Sequence, residues 1–72
     1  VVLAVGREDF LEISIGSDDG LKKGHQLHVY RNNKYLGEIE VLKTTPDKSV
    51  ARIDKDKLQG PIRKGDRVAT KI

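Results

Sequence analysis

The chain has no cysteine, no methionine and no tryptophan, and among its 72 residues only Phe10, Tyr30 and Tyr35 are aromatic. Without cysteine, disulfides, thiolate zinc sites and cysteine nucleophiles are excluded, and the redox compartment leaves no trace in the sequence. Long apolar runs are missing as well. The run VVLAV at residues 1–5 is far below the roughly 20 residues that a helix needs to cross a bilayer. VVLAVGREDF also lacks the charged start and longer apolar stretch of a signal peptide. Direct membrane insertion by this domain is therefore not expected. A chain that starts at Val1 and holds no Met reads as a piece of a longer protein, whose other parts would carry any targeting.

What is present suits one small domain over residues 1–72, near the lower size at which an apolar core holds a fold without staples. Net charge is +3, unevenly spread. Residues 1–20 hold one basic and five acidic side chains, and residues 21–72 hold thirteen basic and six acidic. The later part presents either a basic face to an acidic partner or a solvated surface of mixed sign.

Short apolar stretches separated by Gly, Asp, Asn and Pro recur along the chain, and none keeps a helical period beyond a turn or two. This is an all-β pattern. The expected strands are residues 1–5, 10–15, 25–31, 35–44, 49–54 and 66–72. In the second, Leu11, Ile13 and Ile15 alternate with Glu12 and Ser14; in the third, Leu27 and Val29 share a face. In the fourth, Gly37, Ile39 and Val41 face one way and Glu38 and Glu40 the other; in the sixth, Val68 and Ile72 share a face. GRED and Asn32-Asn33 predict tight hairpin turns, TPDKS a further turn, and KDKLQGPIRKG a longer connection with one helical turn. Six short strands of this size favour a closed barrel, because a flat sheet would leave long unpaired edges.

Shifting the chain by forty-one residues lays GLKKGHQL (residues 20–27) over PIRKGDRV (residues 61–68). The shared pattern is apolar, basic, basic, Gly, polar, polar, apolar, each time leading into a strand. Gly16, Gly20, Gly24 and Gly65 are expected to hold sharp turns, and Gly24→Val or Gly65→Val should destabilise the fold by about 1 to 3 kcal/mol. Asp66, following Gly65, is placed to accept backbone hydrogen bonds from a loop, while His25 takes that place in the first copy.

The Gly65-Asp66 step before a strand, echoed at Gly24-His25, resembles the Gly-Asp box of the cradle-loop barrels, which include double-psi and swapped-hairpin barrels. That resemblance implies six strands with pseudo-twofold symmetry; an SH3-like barrel is the alternative. The stretch IGSDDGLKKGHQLHVYRNNKYLGEIEVLKTTPDKSVARI is similar to the C-terminal barrel domain of the bacterial flagellar assembly protein T and related accessory domains. Gly16, Gly20, Leu21, Gly24, Val29, Tyr30, Gly37, Ala51 and Gly65-Asp66 carry the similarity. It implies a non-catalytic module of a bacterial envelope protein, and it transfers no functional residues.

Few residues point to chemistry. Ser17, Asp18 and Asp19 cluster oxygen atoms, but Lys22 and Lys23 follow where a calcium loop would continue its ligands, so a turn accounts for them more simply. His25 and His28, three apart on a strand, point to opposite faces and cannot readily share an ion. No nucleophile signature or phosphate-cradling loop occurs. Neither catalysis, nor a cofactor, nor a metal is expected. Lys22, Lys23, Arg63 and Lys64 stand at matching places in the two repeat copies, where they would form one basic rim. With Arg31, Lys34 and a tyrosine, such a rim would hold phosphates while the ring stacks on a base. Three aromatics are few for a nucleic-acid barrel. The leading expectation is thus a protein-interaction or structural barrel with a protein partner or self-association, and nucleic-acid binding through the basic rim is the alternative.

Overall fold

The computed structural model describes residues 1–70. Its strands are β1 (Val2–Val5), β2 (Phe10–Ile13), β3 (Gln26–Arg31), β4 (Lys34–Thr44), β5 (Ser49–Ile53) and β6 (Arg67–Thr70). Single 3₁₀ turns at Ser17–Asp19 and Lys55–Lys57 interrupt the two longest connections. All the strands pair antiparallel in one sheet of order β1-β2-β5-β4-β3-β6, which curls into a half-barrel. The second strand is shorter than its alternation suggested. Beyond Ile13 the backbone turns to other partners: Ile15 O accepts from Ser49 Oγ, and Gly16 O accepts from Asp19 and Leu21 N–H. Ile72 lies outside the described residues, and with it the expected face shared with Val68.

The tight turns follow from the residues that form them. Asn32 and Asn33 have φ of 50° and 67°, and Glu8 and Asp9 have 56° and 67°, so both hairpins carry two consecutive left-handed residues. That backbone matches the right-handed twist of flanking strands. Alternation then sends one side of each strand inward. Leu11, Ile13, Leu27, Val29, Ile39, Val41, Ala51 and Ile53 are buried, with Val2, Leu21, Leu36 and Ile62 completing the core. In β5 the pattern is strict: Ser49, Ala51 and Ile53 are buried, while Val50 and Arg52 are exposed.

One strand departs from its expected faces. Glu38 was expected on the solvent side with Glu40, yet it is only 3 % exposed. The connection after β5 folds back over β4: Gln59 N–H donates to Leu36 O at 2.7 Å and Asp54 N–H to Glu38 O at 2.9 Å. Lys57 comes with it and sets its Nζ 3.0 Å from Glu38 Oε2. Glu38 raises the pKa of Lys57 by hydrogen bond and charge. Burial of one charge is here matched by an opposite one, as it must be.

The two GLKKGH-like loops make the same bonds. Lys22 N–H donates to His25 Nδ1 at 3.2 Å, and Arg63 N–H to Asp66 Oδ2 at 2.7 Å. Gly24 N–H donates to Val41 O and Val41 N–H to His25 O; Gly65 N–H donates to Val2 O and Val2 N–H to Asp66 O, each at 2.8 Å. Gly24 and Gly65 have φ of 91° and 92°, and a Cβ at either would meet nothing within 4 Å. The cost of a side chain there is therefore backbone strain alone. Gly24→Val and Gly65→Val should each lower unfolding free energy by about 1 to 2 kcal/mol, with similar values for the two. Urea titrations that leave both midpoints unchanged would contradict this.

Two ends of the sheet face each other across a seam. Among the described residues β6 pairs only with β3, and the two bonds at Val2 are the backbone hydrogen bonds joining β1 to the segment that leads into β6. Beside the seam, Val1 and Val5 are 46 % and 44 % exposed.

Candidate functional site

The basic residues singled out from the repeat do not form one rim. β3 and β6 run antiparallel, with Leu27 opposite Thr70 and Tyr30 opposite Arg67, so their entry loops lie at opposite ends of that ladder. Lys22 and Lys23 are at one end. Arg63 and Lys64 are at the other, where the β3–β4 hairpin brings Arg31 and Lys34. Symmetry of sequence thus separates the two basic pairs, because antiparallel neighbours point their entry loops in opposite directions.

Arg31 is not a free cation. Its Nε and Nη2 donate to Asp66 Oδ1 and Oδ2 at 2.6 and 2.8 Å, and Nη2 also donates to Pro61 O at 3.1 Å. This two-pronged bond holds the β3–β4 hairpin against the loop before β6. Asp66, 3 % exposed, also accepts from Arg63 N–H. The hydrogen bonds from Arg31 hold its carboxyl below the usual carboxylate range despite its burial, and Arg31 is pushed up in turn. Asp66 is a loop anchor, and what remains exposed at this end is Lys34, Arg63, Lys64 and Arg67, with Tyr30 partly exposed among them.

Sequence reasoning missed a second surface. Phe10 lies opposite Arg52, Arg52 opposite Glu40 and Glu40 opposite Gln26, one row across β2, β5, β4 and β3 on the outer face. This row floors an open groove of about 510 Å³, whose rim includes Glu8, Asp9, Glu38, Asp54 and Lys55. Lys55 Nζ pairs with Asp9 Oδ2 at 3.1 Å. Five carboxylates against two cations make this side of a basic protein acidic. The excess of acid in residues 1–20 was the available signal, but only the pairing of β2 with β5 joins it to Glu40 and Asp54. Among the described residues, no three His, Asp or Glu side chains gather where an ion would be held. His25 is bonded within its own loop, and His28 lies edge-on to Tyr35 with ring centroids 5.3 Å apart.

Comparison with protein-family models, with curated proteins and with solved structures returned no match for this chain.

Proposed function

We propose that the domain is a non-catalytic protein-interaction or structural module of a larger bacterial protein, docking polypeptide along the open ends of its sheet. The observation that carries this reading is the seam. β1 is an uncharged strand, Val5 within it and Val1 just before it are nearly half exposed, and among the described residues two backbone bonds tie it to the segment before β6. An exposed apolar strand at the end of a sheet is a feature by which sheets recruit another chain. The closed, cradle-loop-like barrel belongs to the same reading, with the seam as its unfinished side; an SH3-like barrel is the alternative form. The setting in the bacterial envelope rests on the sequence resemblance.

A photo-crosslinking residue at Val5, in the full-length parent protein in its own cells, should trap polypeptide at a defined partner or at a second copy. Crosslinks to nucleic acid, or none, would count against the proposal.

A second reading is nucleic-acid binding at the end that gathers Lys34, Arg63, Lys64 and Arg67 near Tyr30. It requires binding of labelled oligonucleotides that weakens steeply between about 50 and 200 mM salt, since each neutralised phosphate releases counterions. The interaction reading expects no such binding in fluorescence anisotropy. Because Lys22 and Lys23 lie at the far end of the ladder, Lys22→Ala and Lys23→Ala should also leave any such binding at the Arg63 end largely intact.

A further inference from the structure

The first repeat copy supplies a counterpart for the seam. Where β3 meets β4, the bonds of Gly24 and His25 to Val41 start an antiparallel ladder, which continues with Gln26 opposite Glu40, Leu27 opposite Ile39 and His28 opposite Glu38. In this strand of eleven residues, Lys34 to Glu40 pair with β3 on one side and Ile39 to Thr44 pair with β5 on the other, and Val41 is where the β3 ladder begins. Gly65 and Asp66 make the same pair of bonds to Val2. The part after Val2 pairs with β2 as the part after Val41 pairs with β5. Continuing the register along β6 sets Val1 opposite Arg67. The backbone position immediately before Val1 then falls opposite Val68.

Burial agrees with this correspondence. Leu27, opposite Ile39, is fully buried, whereas Val68, its match in the repeat, packs against the core but stays partly exposed. Val1 matches the outward-facing Glu40, and both are exposed. The half of β4 before Val41 supplies Leu36 and Ile39 to the core, and nothing among the described residues does the same beside β6.

We infer that the free edge of β6 is the seat of one extended strand, antiparallel to β6 and leading directly into Val1, with an apolar residue at the position opposite Val68. The inference goes beyond the interaction-module reading: it assigns this edge to a strand continuous with Val1, not to a partner or a second copy, and it specifies the direction and register of that strand. With that strand in place the half-barrel closes.

The test is to join the segment that already plays this part for β3, Lys34-Tyr35-Leu36-Gly37-Glu38-Ile39, directly before Val1 of the 72-residue chain. Two controls carry a Gly-Ser extension of equal length, or the same segment with its last residue changed from Ile to Asp. The expected result is slower amide exchange, by about tenfold or more, at those of Arg67, Val68 and Ala69 whose N–H groups face the seam, together with a higher Tm than either control. Equal exchange and equal Tm in all three chains would overturn the inference. So would a dimer of the unextended chain that already protects the same amides, since the edge would then belong to a second copy. Failure here, with polypeptide crosslinks still formed at Val5, would leave the broader reading intact.

Discussion

Gly16→Ala is expected to cost about 3 kcal/mol or more of unfolding free energy, the largest loss from any single methyl group added to this domain. Gly16 has φ of −145°, an extended conformation open to any residue, so its requirement for glycine is one of space. A Cβ there would stand 2.1 Å from Thr45 O and within 2.8 Å of both Lys48 N and Lys48 O, all of them backbone. That backbone cannot step aside cheaply. The turn at residues 45–48 is closed by Thr45 N–H donating to Lys48 O, and it receives Ser17 N–H at Thr45 O and Asp18 N–H at Pro46 O. Ser49 Oγ, buried behind it, donates to Ile15 O at 2.7 Å. Gly20→Ala is the internal comparison. Gly20 has φ of 83° with open space around its Cα, so its cost is backbone strain of about 1 kcal/mol. Urea denaturation that ranks Gly20→Ala as the more damaging change would refute this account of Gly16.

Asp66→Ala should lose about 2 to 3 kcal/mol. The substitution strands Arg63 N–H and Arg31 Nε and leaves Arg31 Nη2 with Pro61 O alone, which loosens the β3–β4 hairpin from the loop before β6. The value stays below that for a fully buried ion pair, because the Arg31 side chain is 36 % exposed and water can replace part of what it loses. A pH dependence follows from the same bonds. Asp66 has its carboxyl pKa lowered in the folded state relative to the ordinary 3.8, chiefly by the hydrogen bonds from Arg31. The folded state therefore binds that proton more weakly than the unfolded chain. The stabilisation is fully present above the ordinary value and is lost as pH falls below it, through the folded value. Stability should drop as pH falls below about 4, and Asp66→Asn, already less stable at neutral pH, should show a shallower drop. Parallel acid profiles for the two proteins would remove Asp66 from the explanation.

Much of the architecture was legible in the residue pattern. Period-two alternation at Leu11 to Ile13 and at Leu27 to Val29 told which side chains enter the core, because a strand sends successive residues to opposite faces. Asn32-Asn33 and the GRED segment marked hairpins that the backbone does form. The repeat pointed to Asp66 as a backbone acceptor. Glu38 was misread because alternation knows only its own strand, and Lys57, in the connection that covers it, comes nineteen residues later. Arg31 was read as a ligand-facing cation for a similar reason: its partner Asp66 lies thirty-five residues away. Gly16 was recognised as glycine that matters, but as a turn former; the Thr45–Lys48 backbone that forbids a side chain there is remote in sequence.

By itself the sequence determined the all-β class, the inward faces of most strands, the turns and the absence of thiol chemistry, since each rests on the conformational and chemical limits of residues near one another in the chain. Only the tertiary structure decided that the basic loops are split between two ends, that an acidic groove crosses four strands and that Val2 bonds to the segment leading into β6. Those features depend on strand order and register, which are set by the summed burial of side chains from distant segments and leave no local mark.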